Sequence, residues 1–279
     1  MKPLCIYHGN CADGFGAATV IHKAFGGDVD FHPGRYGEEL PEIESRDVMI
    51  VDFSYKRDVM INIISKARSV LVLDHHKSAE AELAGLHGIR EDVEVYFDMN
   101  RSGAQMTWDY FFAEYPTPKL IQHIQDRDLW QFKLPGTREI QAALFSYEFD
   151  FDIWLRLLDN DDLVTGLFNE GVVLSRKHLK DIQDLLKISH REMTIAGYTV
   201  PAANLPLTMS SDAGNIMCKD LTTFSATYYD TAKSRCFSLR SAENGMDVSA
   251  IAIQYGGGGH KHAAGFKVPL GELVEKGLL

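Results

Sequence analysis

From the N-terminus, short runs of aliphatic and β-branched residues alternate with longer stretches whose apolar positions recur every three or four residues. The runs PLCIY (3–7), DVDFH (28–32), DVMIVDF (47–53), SVLVLDH (69–75) and VEVYF (93–97) predict strands. Between them, FGAATVIHKAF and RDVMINIISKA have the length and spacing of crossover helices. SGAQMTWDYFFAEY predicts a helix capped by Ser102, and PTPKLIQHIQDRD predicts another. This alternation predicts an α/β domain with a mainly parallel sheet. The proline-free stretch 163–190 predicts either a long helical connector or one more core helix. Beyond it, TIAGYTVPAANLP, TFSATYYD and SRCFSLRS predict strands and MDVSAIAIQY a helix, a second and smaller α/β unit. The expected division is a first domain at 1–160, a connector at 161–194 and a second domain at 195–279.

Composition narrows this picture. A chain of 279 residues with 45% hydrophobic content can build a sizeable core. No apolar run approaches the roughly 18 residues of a membrane span, and the start has too short an apolar stretch for a secretory signal, so no membrane partner and a cytoplasmic location are expected. The four cysteines form no CxxC pair, against both a disulfide framework and a thiolate zinc site. A formal charge of −11 repels a long phosphate backbone and disfavours long duplex nucleic acid as a partner.

Three of the predicted strands stop at chemistry that a buried strand cannot tolerate uncompensated. The first leads to His8 and Asp13, the third to Asp52, and the fourth to Asp74, His75 and His76. A lone His or Asp at a strand end is usually a turn or cap residue. In an open parallel sheet, however, neighbouring carboxyl ends face one crevice, so these three ends converge. Carboxylates and imidazoles without thiolates suit Mn²⁺, Mg²⁺ or Zn²⁺, and a carboxylate can bridge two such ions. The reaction class this points to is hydrolysis of a phosphoester or phosphoanhydride.

The segments YHGNCADGFGAA (7–18), VDFS (51–54), LDHH (73–76) and QDRDLWQF (125–132) occur in that order, followed by FSLRS (237–241) and GGGGHKHAAGF (256–266). Together they resemble the DHH phosphoesterase family with its DHHA1 domain, in the branch that cuts short oligonucleotides. The resemblance spans nearly the whole chain. It implies an N-terminal DHH catalytic domain, a helical connector and a C-terminal α/β DHHA1 domain that binds substrate. It also implies two divalent ions, Mn²⁺ foremost and Mg²⁺ as the alternative, held by His8, Asp13, Asp52, His75 and Asp126, with Asp52 bridging. Asp128 is the alternative to Asp126. Asp74 is expected to orient the cluster, and His76 to touch the phosphate or protonate the leaving group. The first motif departs from the family's His-x-x-x-Asp-x-Asp by lacking its first Asp, for which Asn10 or Cys11 are the substitutes at hand.

In the C-terminal unit, Gly257, Gly258, Gly259, His260, Arg240 and Ser241 resemble the family's nucleotide-binding surface. Arg240 has the fork to grip a terminal phosphate, and Arg101 is a second candidate, though either could be a salt-bridge partner. Trp130 and Tyr255 read as core aromatics before base platforms. The activity implied is a phosphodiesterase for very short linear oligonucleotides, with 5'-phosphorylated dinucleotides such as pGpG, the linear product of cyclic di-GMP breakdown, as one candidate. A monomer or homodimer is expected. The alternatives are a phosphohydrolase for pAp, pyrophosphate, polyphosphate or cyclic dinucleotides, and a nucleotide- or RNA-binding module with a degenerate metal site.

Overall fold

The structure, a computed structural model, describes residues 1–9, 11–35 and 38–279. The chain divides into two compact units, Met1–Ser175 and Arg176–Leu279. The first contains β1 (Leu4–His8), α1 (Ala12–Ala24), β2 (Asp30–Gly34), β3 (Asp47–Val51), α2 (Arg57–Lys66), β4 (Ser69–Asp74), α3 (Lys77–Glu82), β5 (Val93–Phe97), α4 (Gly103–Phe111), α5 (Lys119–Asp128), α6 (Thr137–Leu144) and α7 (Phe151–Asp159). Its five strands are all parallel in the order β2-β1-β3-β4-β5.

Near-continuous apolar strands are what a sheet buried on both faces requires. Ile6, Val48, Ile50, Val70, Val72, Val93 and Val95 pack into one cluster with Met60, Ile63 and Ile64 of α2. The alternate residues Cys5, Met49, Val51 and Leu73 join the opposite cluster with Phe15, Val20 and Ile21 of α1, Trp108 of α4, Ile124 of α5 and Trp154 of α7. The order changes direction between β1 and β3, a topological switch point, so the carboxyl ends of these strands flank the crevice where such sheets bind ligands.

Helix α8 (Asp161–Ser189) runs for 29 residues across the division between the units. The second unit continues with β6 (His190–Ile195), β7 (Tyr198–Asn204), α9 (Ser210–Cys218), β8 (Ser225–Asp230), β9 (Ser234–Arg240), α10 (Val248–Ile253), β10 (Gly258–His260) and β11 (Ala263–Pro269). Its sheet runs β10-β11-β9-β8-β7-β6, antiparallel except for the β7–β8 pair. The glycine run enters a strand. A Cβ on Gly257 would stand 2.1 Å from the Gly265 carbonyl oxygen, so this hairpin closes only on glycine.

Candidate metal centre

The β-strand ends deliver the site. His8 is the last residue of β1, Asp13 lies in the first turn of α1, Asp52 follows β3, and Asp74 ends β4 with His75 and His76 behind it. Asp13, Asp52, Asp74 and His75 are all buried. His75 Nε2 stands 3.1 Å from Asp52 Oδ1, 3.5 Å from Asp13 Oδ2 and 3.5 Å from Asp128 Oδ2. On the other side of the same carboxylate, His8 Nδ1 stands 3.4 Å from Asp52 Oδ2.

Within the first unit, two sets of donor atoms result, each with its members within 4.8 Å of one another: Asp13, Asp52 and His75, and His8, Asp52 and His76. Asp52 belongs to both. Its backbone has φ 52°, a left-handed conformation that aspartate tolerates better than most residues. Helix α4 approaches so closely here that a Cβ on Gly103 would lie 2.4 Å from Asp52 Cβ. The same helix end grips Asp13, whose oxygens accept from Gly103 N at 2.6 Å and Ala104 N at 2.9 Å.

The electrostatics are those of a site built around positive charge. Burial drives the Asp13 carboxyl well above its ordinary range, and repulsion from Asp52 and Asp128 adds to the rise. Burial also raises Asp128, while the His75 charge opposes that rise. Burial acts upward on Asp52 too, but the imidazoles of His75 and His8 outweigh it and hold Asp52 well below the usual range. His8 and His75 are raised in turn, because their partners overcome the desolvation that would lower them. Asp52 Oδ2 completes no hydrogen bond among the described residues, though it is buried and charged. An orphaned carboxylate oxygen beside imidazoles fits a divalent cation, as does a donor set of hard oxygens and ring nitrogens.

Asp74 has a different task. It accepts from Ser54 Oγ at 2.5 Å, from His75 N at 2.8 Å and from His76 N at 3.3 Å, and it lies 2.6 Å from His76 Nδ1. Burial works against its charge, but His76 and Ser54 prevail and hold it down at about 2. Ser54, half of this support, carries no motif signal of its own beyond its place after Asp52-Phe53.

Asp126, the expected ligand, is bonded within its own loop. Its Oδ1 accepts from Lys133 N at 2.7 Å, and its Oδ2 accepts from Leu134 N at 3.0 Å and Thr137 Oγ1 at 2.6 Å. Two residues on, Asp128 meets His75 instead. A two-residue step turns about 200° around a helix, so the two carboxylates leave α5 on opposite sides. Cys11, at the N-cap of α1, lines a small cavity with Asp13, Asp128, Arg127 and Gln141, and belongs to neither donor triad. Burial raises its thiol, with Asp52 adding to the effect and His8 opposing it. Asn10 lies outside the described residues.

Arg101 bonds to Asp98 Oδ2 at 2.7 Å and Asp109 Oδ2 at 2.9 Å, which favours the salt-bridge reading of that residue. In the second unit, His260, Ala263 and Arg240 share one register row across β10, β11 and β9. Arg240 donates to Ser238 Oγ at 2.9 Å, the Leu239 carbonyl at 2.8 Å and Ser211 Oγ at 2.8 Å. Ser241 is buried, donates to the Met246 carbonyl at 2.7 Å and meets His262 Nδ1 at 2.9 Å. Gly259 has φ 137°, and a Cβ there would stand 2.6 Å from the Ala263 carbonyl oxygen. Gly258 opens β10, so the run serves hairpin closure as well as any ligand.

No family model matches the chain. An uncharacterized protein of Acanthamoeba polyphaga mimivirus is 33% identical over 93% of this chain and 66% of its own length. Oligoribonuclease NrnB of Bacillus subtilis is 25% identical over 94% of this chain and 72% of its own. The chain thus spans about two thirds of the length of the first relative and somewhat more of the second. Among solved structures, the DHH domain of a member of a ribosomal-protein family shares the fold with a TM-score of 0.58, 13% identity and 99% and 84% coverage. RecJ from Thermus thermophilus, solved with Mn²⁺, has a TM-score of 0.55, 15% identity and 99% and 51% coverage. The pGpG-specific phosphodiesterase PggH of Vibrio cholerae has a TM-score of 0.51, 16% identity and 99% and 97% coverage.

Proposed function

We propose that the chain is a member of the DHH phosphoesterase family and a metal-dependent phosphodiesterase that hydrolyses very short linear oligonucleotides to mononucleotides. Dinucleotides with a 5'-phosphate, such as pGpG, are its foremost substrates. The observation that carries this reading is the Asp52 carboxylate, common to two donor triads and presenting one oxygen to His75 and the other to His8. The relative named an oligoribonuclease supports the size class, and so does an overall charge of −11, which disfavours a long strand.

Bound divalent ions supply the Lewis acidity that makes water nucleophilic at neutral pH and offsets charge on the phosphorus centre. Asp13, Asp52, His75 and Asp128 would hold one ion, and His8 and Asp52 would contribute to holding the other. Asp13 does so from a fixed position, because two amides of α4 already bind its oxygens. Asp74 holds His76 at Nδ1, which fixes the ring and its tautomer and turns Nε2 toward the chemistry. A proton carried on that Nε2 is then placed for the departing oxygen. In the second unit, Arg240 and His260 are the groups we assign to a substrate phosphate.

The test is product analysis with Mn²⁺ titrated against 5'-labelled RNAs from dimers to 20-mers. Mononucleotides from dimers at a far higher rate than from 20-mers are expected, together with loss of turnover in Asp52→Ala. Equal rates at all lengths, or undiminished hydrolysis by Asp52→Ala, would refute the proposal.

A further inference from the structure

The segment that follows Asp128 is unusual in ways that metal binding does not explain. Trp130 and Phe132 both have left-handed backbones, at φ 57° and 49°, a conformation that bulky residues rarely adopt. The loop is nevertheless held. The Asp126 carbonyl accepts from Gln131 N at 2.8 Å and Phe132 N at 3.2 Å, while the Asp126 carboxylate takes the amides of Lys133 and Leu134. One buried aspartate therefore holds Phe132 and the residues on either side of it, while the Trp130 amide donates to the Arg127 carbonyl at 2.9 Å.

These rings are half-buried and stand outside the core clusters, against the expectation for Trp130. Tyr255, by contrast, does pack in the core, stacked on Phe266 at 4.4 Å. The two loop rings meet edge to face at 4.9 Å. Arg138 lies over the Phe132 ring at 3.6 Å, and Arg127 over Phe145 at 4.4 Å, with both guanidiniums within 6 Å of the Trp130 ring. A cationic, aromatic surface two residues from Asp128 in so acidic a chain matches the chemistry of a nucleobase joined to a phosphate. Aromatic faces stack on any base, and arginine planes stack alongside them.

We propose that Trp130 and Phe132, on a loop braced by Asp126 and flanked by Arg127 and Arg138, form a nucleobase-stacking shelf for one base of the dinucleotide. The shelf rests on the hydrolytic reading above and assigns it a base-recognition element. Because stacking is tolerant of sequence, the shelf selects for the presence of a base, not for its identity.

The experiment compares a 5'-phosphorylated dinucleotide with the same molecule made abasic at either position. In Trp130→Ala, the ratio of kcat/KM for the base-bearing over the better-matched abasic substrate is expected to fall about tenfold, through KM, with Trp130→Phe restoring most of it. An unchanged ratio, whether both rates fall together or neither does, would overturn the shelf. A second arm needs no turnover: a mononucleotide should quench the tryptophan emission of the wild type and leave that of Trp130→Phe unmoved, since Trp108 and Trp154 are buried. If the wild type hydrolyses no dinucleotide, the functional reading fails and this titration still decides the shelf, with equal quenching in both proteins counting against it.

Discussion

Asp126 and Asp128 lie two residues apart in the same helical turn and have opposite fates. The first is an acceptor for three donors of its own loop, and the second faces His75 across the crevice. Asp128→Asn should therefore lower turnover at least a hundredfold at saturating Mn²⁺ while leaving the melting temperature nearly unchanged. Asp126→Ala strands two amides and a hydroxyl, and should destabilise the protein by about 2–4 kcal/mol. Thermal scans and initial rates on both variants separate the roles; a stable Asp126→Ala with lost metal binding would reverse the assignment. The motif QDRD offers two carboxylates, and which of them faces His75 depends on helical phase and on donors as far along as Thr137. Ser54 was hidden for a similar reason: its significance comes from Asp74 on the neighbouring strand. By contrast, His8, Asp52 and His75 were legible because each ends a run of apolar residues that must stop at the same sheet edge.

At the scale of elements, the five parallel strands followed directly from their apolar runs, since a sheet covered on both faces leaves no polar alternation to confuse the reading. Helices α3, α6, α7 and α9 and strands β10 and β11 were not foreseen. The glycines of β10 owe their strand identity to the close approach of β11, not to β propensity. Helix α4 shows how an element end shapes the site, because its first residue must be glycine to bring amides onto Asp13 beside Asp52. Gly103→Ala should cost about 1–3 kcal/mol through overpacking and push the helix end away from both carboxylates. Calorimetric titration should then show Mn²⁺ affinity reduced by an order of magnitude or more; unchanged affinity would mean that the α4 amides do not position Asp13.

For the whole molecule, the buried charges make stability depend on pH and on ions together. His8 and His75 have raised values in the folded chain because Asp52 outweighs their desolvation. Their contribution is thus fully present below the ordinary imidazole value of about 6.5 and is lost as pH rises through the folded values. Without divalent ions, the melting temperature should fall as pH is raised from about 6.5 toward 9, and added Mn²⁺ should reverse the fall with a gain that grows with pH. A melting temperature flat across that range in a chelator would argue against the protonated cluster. No helix among the described residues is long and apolar enough to cross a membrane. The central claim is that Asp52 is shared by two cations, and the measurement that reaches it most directly is anomalous diffraction at the manganese edge from crystals grown with Mn²⁺. Two peaks are expected, one between Asp52 Oδ1 and His75 and one between Asp52 Oδ2 and His8. Density showing no manganese on Asp52, or manganese bound elsewhere while His8 and His75 point apart, would contradict it.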